Sequence, residues 1–253
     1  MIDLHLIGIG TGNPDHLTRA AITAMNAADL ILLPRKGDAK SDLIDLRRAI
    51  CADVLTNGTQ IVEFDLPDRD MTAPYLHGVD RWHDAIADAW RDQIASHLPD
   101  GGRLALLVWG DPSLYDSTLR IAERLRAGGM AMTVTVEPGI TSLQALTAAH
   151  AIPLNTLGAP VLITTGRRLR AGGWPADVDT VAVMLDGDCA FQTLGAPGIA
   201  IWWGAYLGMP HQALIAGSLE QVAGRIIATR ATLRERHGWI MDIYLLRRVV
   251  PAD

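Results

Sequence analysis

Apolar positions along the chain fall into two alternating textures, short solid runs and spaced stripes. Residues 4–9 form an apolar run that stops in the turn Gly8-Ile-Gly-Thr-Gly12. Leu17, Ala20, Ala21, Ala24 and Met25 then recur at helical spacing, and residues 29–33 form a second run stopped by Pro34. A strand, a helix and a strand at this spacing predict a parallel pair with a right-handed crossover. The pattern continues with a helix from Ser41, a candidate N-cap, to about Val54, and a strand over 60–64. A loop with Asp and Pro over 65–74 precedes a long helix over 75–97, with Trp82, Ile86, Ala89 and Trp90 on one side.

The strand expected over 103–108 halts at Trp109-Gly110-Asp111-Pro112, and a helical pattern over 113–126 follows, stopped by Gly128-Gly129. A strand over 132–136 and a helix over 142–150 come next. Residues 151–158 break the pattern, which places a first domain over 1–154 and a second over 159–253. The second half predicts strands over 161–164, 180–185, 198–203 and 239–246 and a helix over 219–236, joined by loops with Gly and Pro. The fold class expected is therefore α/β, in two α/β domains. The first holds a mainly parallel sheet with flanking helices, the second a mixed sheet.

Composition narrows the setting. Hydrophobic residues make up 49% of 253, enough for a sizeable core. A net charge of -6 argues against nucleic acid as a partner. Two cysteines with no CxxC pair argue against a disulfide framework and for a reducing, cytoplasmic setting. The first ten residues lack the charged and apolar regions of a signal peptide, and the apolar runs fall short of the roughly 18 residues of a membrane span, so no membrane is expected. The eight histidines show no H-x-x-x-H spacing, and no metal is expected. His150 reads as core. Of the seven tryptophans, Trp82 and Trp90 read as core, and Trp109, Trp202 and Trp203 as walls of a cleft at strand ends.

Open α/β sheets bind ligands outside the carboxyl ends of their strands. Trp109, Asp111 and Tyr115 stand at such an end. The Gly8–Gly12 turn is G-x-G-x-G, and Asn13 occupies the place of the third glycine of a dinucleotide fingerprint. A nicotinamide site is disfavoured on that ground, and a plain βα turn stays open.

Several segments occur together in a fixed order: Gly8-Ile-Gly-Thr-Gly-Asn-Pro-Asp-His-Leu-Thr18, Ala28-Asp-Leu-Ile-Leu32, Gly110-Asp-Pro112, and Val136-Glu-Pro-Gly-Ile-Thr-Ser142 with Ile152-Pro-Leu154. Gln212 with Gly217-Ser-Leu219 follows. In this the chain resembles the tetrapyrrole methylases, enzymes that use S-adenosylmethionine. Lys36-Gly37, residues 42–51, Leu114-Tyr-Asp-Ser-Thr-Leu-Arg-Ile121, Thr164-Thr-Gly-Arg-Arg168 and residues 238–247 resemble one branch of that family. That branch methylates precorrin-5 at C-1 and releases the extruded acetyl group as acetate.

The resemblance implies S-adenosylmethionine as cofactor, S-adenosylhomocysteine as product, and a cofactor cleft between the two domains. Carried onto this chain, cofactor contacts fall on Trp109, Gly110, Asp111, Leu114, Tyr115, Thr141 and Ser142, and in the second half on Met184, Leu185, Ala205, Trp239 and Ile240. Gly10, Gly12 and Pro14 would line the tetrapyrrole cavity. Arg19, Arg35, Lys36, Arg167 and Arg168 are candidate partners for the carboxylates of precorrin-5. Asp111 and Tyr115 are candidate acid–base groups for acetyl removal, with Asp116 behind them. Asp111 has a competing reading as a brace that accepts backbone N–H bonds within its loop. A homodimer is implied by the resemblance alone. Two alternatives remain: a tetrapyrrole C-methyltransferase with another carbon target, and a non-catalytic nucleotide-binding module that takes NAD or ATP.

Overall fold

The computed structural model describes residues 1–35, 41–70, 72, 74–195 and 197–248. Lys36, Gly37 and the Ser41 side chain lie outside the described residues. The chain divides into two compact units, Met1–Thr141 and Ser142–Asp253. This division falls one helix before the 151–158 stretch that suggests a boundary in the sequence.

The first unit holds five strands: β1 (Ile2–Gly8), β2 (Leu30–Arg35), β3 (Gln60–Asp65), β4 (Gly102–Val108) and β5 (Met132–Glu137). They form one sheet in the order β3-β2-β4-β1-β5, and every pair is parallel. Four helices connect them: α1 (Arg19–Ala27), α2 (Ser41–Val54), α3 (Tyr75–His97) and α4 (Thr118–Ala127). Both faces of the sheet are covered at its centre, so β2 and β4 read as near-continuous apolar runs, while the edge strands β3 and β5 are partly exposed. Ile7, Ile31, Ala105 and Leu107 pack on one face with Ala21, Met25, Ile50 and Cys51 of α1 and α2. Leu4, Leu6, Leu32, Leu104 and Leu106 pack on the other with Ile86, Trp90, Ile121 and Leu125 of α3 and α4. Trp90 is a core residue, as its spacing on the helix predicts, whereas Trp82 is half-buried and packs against that core, its indole donating to the Pro67 carbonyl at 2.7 Å.

The strand order decides where a site can form. β1 and β4 are neighbours, yet β1 leads through α1 to one side and β4 leads through α4 to the other. Their carboxyl ends therefore flank a switch point, the place where loops diverge and leave a crevice.

The second unit opens with α5 (Ser142–His150) and holds β6 (Val161–Thr165), α6 (Gly166–Gly172), β7 (Thr180–Met184), β8 (Ile199–Ala205), β9 (Ala213–Ser218), α7 (Leu219–His237) and β10 (Asp242–Arg248). Its sheet runs β6-β7-β10-β8-β9, with β6 and β7 parallel and the other pairs antiparallel, so it is mixed as expected. Three features depart from the pattern read in the sequence. β9 and the seven-residue α6 carry no marked periodicity and are additional elements. β10 starts at Asp242, after the turn at 238–241. α4 starts only at Thr118, because the Asp111 and Asp116 side chains draw the Ser113 and Thr118 amides into turns.

Among the described residues no helix is long and apolar enough to cross a membrane, and no cluster of His, Cys, Asp and Glu is arranged to hold a metal.

Candidate functional site

At the switch point of the first unit three glycines let three backbones touch. A Cβ on Gly8 would lie 2.6 Å from the Gly139 nitrogen and 2.7 Å from the Gly110 carbonyl oxygen. A Cβ on Gly139 would lie 2.0 Å from that same oxygen, inside any allowed contact. The Gly-rich start, the Gly-Asp-Pro turn and the Pro-Gly segment are therefore one packed unit. Gly10 and Gly110 exchange backbone bonds, Gly110 N–H to Gly10 O at 2.7 Å and Gly10 N–H to Gly110 O at 3.3 Å. Gly10 and Gly12 are buried, and Pro14 is exposed at the start of a single helical turn.

Asp111 braces this knot. Its Oδ1 accepts from the Ser113 amide at 2.8 Å and from the Ser113 hydroxyl, and its Oδ2 accepts from the Gly139 amide at 3.0 Å. Burial alone would push its carboxyl up, but these bonds outweigh that and hold it below the usual range. A carboxylate so occupied and so acidic is a weak proton acceptor, which favours the bracing role over a catalytic one.

Four residues beyond Asp111, Tyr115 adopts φ 51°, a left-handed backbone costly for a side chain of this size, and is 44% exposed. Desolvation raises its phenol above the ordinary value, so it is protonated at neutral pH. Leu114 closes the turn with its amide on the Asp111 carbonyl at 3.2 Å. Thr141 is buried, and Ser142 opens α5, whose first amides point away from the helix body.

The second unit has a matching feature at the end of β7. Leu185, after Met184, has φ 52° and is 66% exposed. Beneath it the Asp186 carboxylate is buried and accepts from the Tyr244 hydroxyl at 2.6 Å and the amides of Ala190 and Asp188. Gly166 has no room for a side chain, since a Cβ would lie 2.2 Å from that carboxylate. Arg230 ties the Asp186 carbonyl to Asp242, donating at 3.0 Å and 2.9 Å. Burial lifts the Asp242 carboxyl above its usual range although Arg230 and the Trp203 indole donate to it. Ala205 and Trp239 are buried near one another in sequence register: Ala205 pairs with Asp242, and the Tyr206 amide donates to the Met241 carbonyl at 2.9 Å. The Tyr206 hydroxyl donates to the Trp239 carbonyl, and Ile240 follows half-buried.

Trp202 and Trp203 do not wall a strand end. They lie within β8, opposite Leu245 and Tyr244, and Trp203 is fully buried. Two apolar-looking positions in succession were misleading because one faces the core and the other stacks under Arg247, 5.2 Å from its ring centroid. His150 is half-buried and its Nε2 lies 3.0 Å from the Trp203 carbonyl, a structural contact within the unit.

The arginines chosen from sequence are all exposed. Arg35 is already bound to Asp65, Nε to Oδ1 and Nη2 to Oδ2 at 3.0 Å each. Arg19 lines an open groove of about 450 Å³ with Asp3, His5, Arg103 and Glu137. Arg167 and Arg168 sit in the first turn of α6, where the Thr165 hydroxyl caps the Arg168 amide. Arg47 is the buried one, and the one signal for it in the sequence is that Leu43, Ile44, Ile50 and Cys51, its neighbours at helical spacing, are all apolar. It lies on α2, donates from Nε to the Leu107 carbonyl and from Nη1 to the Leu43 carbonyl at 3.3 Å each, and stacks over Trp109 at 5.2 Å.

Residues 3–223 match the model of the Tetrapyrrole (Corrin/Porphyrin) Methylases. A precorrin-6A synthase (deacetylating) of Sinorhizobium sp is 50% identical over 251 residues, which cover 98% of this chain and 96% of that protein. The crystal structure of a cobalamin synthesis related protein (CobF) from Corynebacterium diphtheriae superposes with a TM-score of 0.84 at 39% identity, covering 99% of this chain and 100% of that one. The uroporphyrin-III C-methyl transferase of Thermus thermophilus, solved with S-adenyl homocysteine, shares the fold at a TM-score of 0.59 and 20% identity, covering 97% and 92%.

Proposed function

The chain belongs to the tetrapyrrole (corrin/porphyrin) methylases, and from that premise we propose that it methylates precorrin-5 at C-1 and releases the extruded acetyl group as acetate. The observation that carries this reading is identity of 50% to a precorrin-6A synthase (deacetylating) along nearly the whole of both chains. The strand-end knot of Gly8, Gly110 and Gly139 supports it, since it unites three of the motifs that characterise the family in the sequence.

S-adenosylmethionine supplies a methyl group already activated as a sulfonium, so this chain needs no metal for the transfer. Its residues have to bind, orient and exclude water, which is mostly a matter of position. The fit of the group is supported by the exposed Tyr115 and Leu185, both held at positive φ at the ends of strand–loop units. Side chains fixed at that cost suit a ligand more than a solvent face. In the first unit Trp109, Gly110, Asp111, Leu114, Tyr115 and Thr141 are proposed to hold the cofactor, and Ser142 at the start of the second unit with them, the α5 amides suiting its carboxylate. In the second unit Met184, Leu185, Ala205, Trp239 and Ile240 are proposed. Gly10, Gly12 and Pro14 offer little side-chain bulk to a flat macrocycle.

Acetyl removal adds water to a ketone carbonyl and then breaks a carbon–carbon bond, the electron pair returning to the ring system. With Asp111 occupied by Ser113 and Gly139, Tyr115 is the better candidate to donate a proton to the carbonyl oxygen. The protein is further proposed to be a cytoplasmic homodimer. Sedimentation at twice 27.3 kDa is expected, and a monomer mass would overturn the dimer.

The deciding experiment incubates the protein with enzymatically prepared precorrin-5 and methyl-labelled cofactor. One labelled methyl and one acetate per turnover are expected. Label without acetate would move the assignment to another tetrapyrrole C-methyltransferase. No affinity for S-adenosylhomocysteine at millimolar concentration, with affinity for NAD or ATP, would return it to a nucleotide-binding module.

A further inference from the structure

Arg47 is 92% buried and has no carboxylate partner among the described residues. Its bonds go to two backbone carbonyls, and Nη2 makes none. Asp116 acts on it through space, but the Asp116 Oδ1 is taken by the Thr118 amide and hydroxyl. Desolvation lowers the guanidinium to about 10, which leaves it charged at neutral pH. A buried charge that meets a carboxylate only through space keeps a desolvation cost that a directly bonded anion would offset.

A second orphan lies against it. The Trp109 ring is stacked under the guanidinium at 5.2 Å, and its Nε1–H is buried without an acceptor. Buried indole N–H groups ordinarily find a partner. Two unanswered donors, one of them cationic, are thus placed at the end of β4, next to the Gly110 that binds Gly10. What both lack is an anionic acceptor.

We propose that Arg47 and the Trp109 N–H form a binding site for one carboxylate of the tetrapyrrole substrate. The inference rests on the methylase reading, and it assigns the anchoring of the macrocycle to a buried arginine instead of the exposed Arg19, Arg35, Arg167 and Arg168. The guanidinium offers a planar, charged donor, and the indole N–H a second, neutral one. Arg47 is a binding residue; the reacting atoms lie elsewhere on the macrocycle.

The test compares Arg47→Gln, Arg47→Lys and Trp109→Phe with the wild type, reading KM and kcat for precorrin-5, direct tetrapyrrole binding by fluorescence quenching, and affinity for S-adenosylhomocysteine. Arg47→Gln is expected to raise KM roughly ten- to a hundredfold, the span of a lost charge-assisted hydrogen bond, and to lower kcat less. Arg47→Lys should recover part of that affinity, and Trp109→Phe should raise KM by a few-fold. The affinity of the Arg47 variants for S-adenosylhomocysteine should stay at the wild-type level.

Wild-type KM and binding in Arg47→Gln would overturn the proposal, and so would loss of S-adenosylhomocysteine affinity, which would give the site to the cofactor. Normal methyl incorporation with impaired acetate release would also overturn it, assigning the pair to the acetyl oxygen. Should Arg47→Gln fail to fold, Arg47→Lys carries the same comparison, and Trp109→Phe carries the KM and tetrapyrrole-binding comparison alone. A wild-type protein that binds no S-adenosylhomocysteine would refute the methylase reading itself, whereas wild-type turnover with an indifferent Arg47 refutes only this site.

Discussion

The two units solve one problem in different ways. Each must hold an exposed residue at positive φ beyond a strand, Tyr115 in the first and Leu185 in the second. The first does so with backbone against backbone, the contact of Gly8, Gly110 and Gly139 braced by Asp111. The second does so with buried charge, the carboxylates of Asp186 and Asp242 linked through Arg230 and capped by Tyr244. The buried charges of that network, Asp186, Asp242 and Arg230, answer one another. In the first, Arg47 and Trp109 are left with donors to offer. Polar capacity that a fold leaves unmatched marks where a ligand is expected; a closed network marks a scaffold.

The largest effect should come from breaking the ionic brace of the second unit. Arg230→Met would leave Asp242 buried with only the Trp203 indole, a loss of about 3–5 kcal/mol in chemical denaturation. Adding Asp242→Leu should recover much of it, because the uncompensated charge goes with the arginine. No recovery would mean that the pair holds more than itself. In the first unit, Gly139→Ala drives a Cβ into the Gly110 carbonyl, and about 3 kcal/mol is expected with loss of S-adenosylhomocysteine binding. A variant with wild-type stability would show that the three backbones are not held in contact.

Smaller effects sharpen the contrast. Tyr115→Gly and Leu185→Gly relieve left-handed strain, so stability should rise by up to about 1 kcal/mol while cofactor affinity falls. A drop in melting temperature would argue that either side chain supports the fold instead.

The smallest effect is the sign of the pH response. The Asp111 carboxyl is lowered in the fold, so its contribution is present above about pH 4 and fades as pH falls through the lowered value. The Asp242 carboxyl is raised, so its contribution is full below about pH 4 and is lost as pH rises through the raised value. Asp111→Asn should therefore flatten the acid limb of melting temperature against pH, and Asp242→Asn the limb above it. The same slope change in both variants would contradict the opposed directions.

Much of the first unit was legible because a parallel sheet buried on both faces demands solid apolar runs, and residues 4–9, 29–33 and 103–108 supply them. The glycine turn, Gly110-Asp111-Pro112 and Pro138-Gly139 were legible as motifs, but their mutual contact was not, since it joins positions far apart in the chain. The second unit was less legible. β9 shows no clear alternation, and α6 is too short for a helical stripe. The turn at 113–117 looked helical because local side-chain bonds from Asp111 and Asp116 compete with helix bonds without changing the apolar spacing.

Arg47 and Arg48 show the division most clearly. In sequence they are neighbouring cations on one amphipathic helix, told apart only by the apolar Leu43, Ile44, Ile50 and Cys51 at helical spacing from Arg47. In the fold Arg48 turns outward to Glu63 and Asp45, while Arg47 turns inward beneath β4 and over Trp109. The sequence by itself determined the class of fold, the family and the strand-end loops, because periodicity and turn chemistry are local. Only the tertiary structure decided that the Asp111 carboxylate accepts from Ser113 and Gly139, that Asp186 and Asp242 share a buried network, and that the buried Arg47 has no carboxylate bonded to it among the described residues. Burial and the pairing of charges depend on residues that meet only when the sheets and helices have packed.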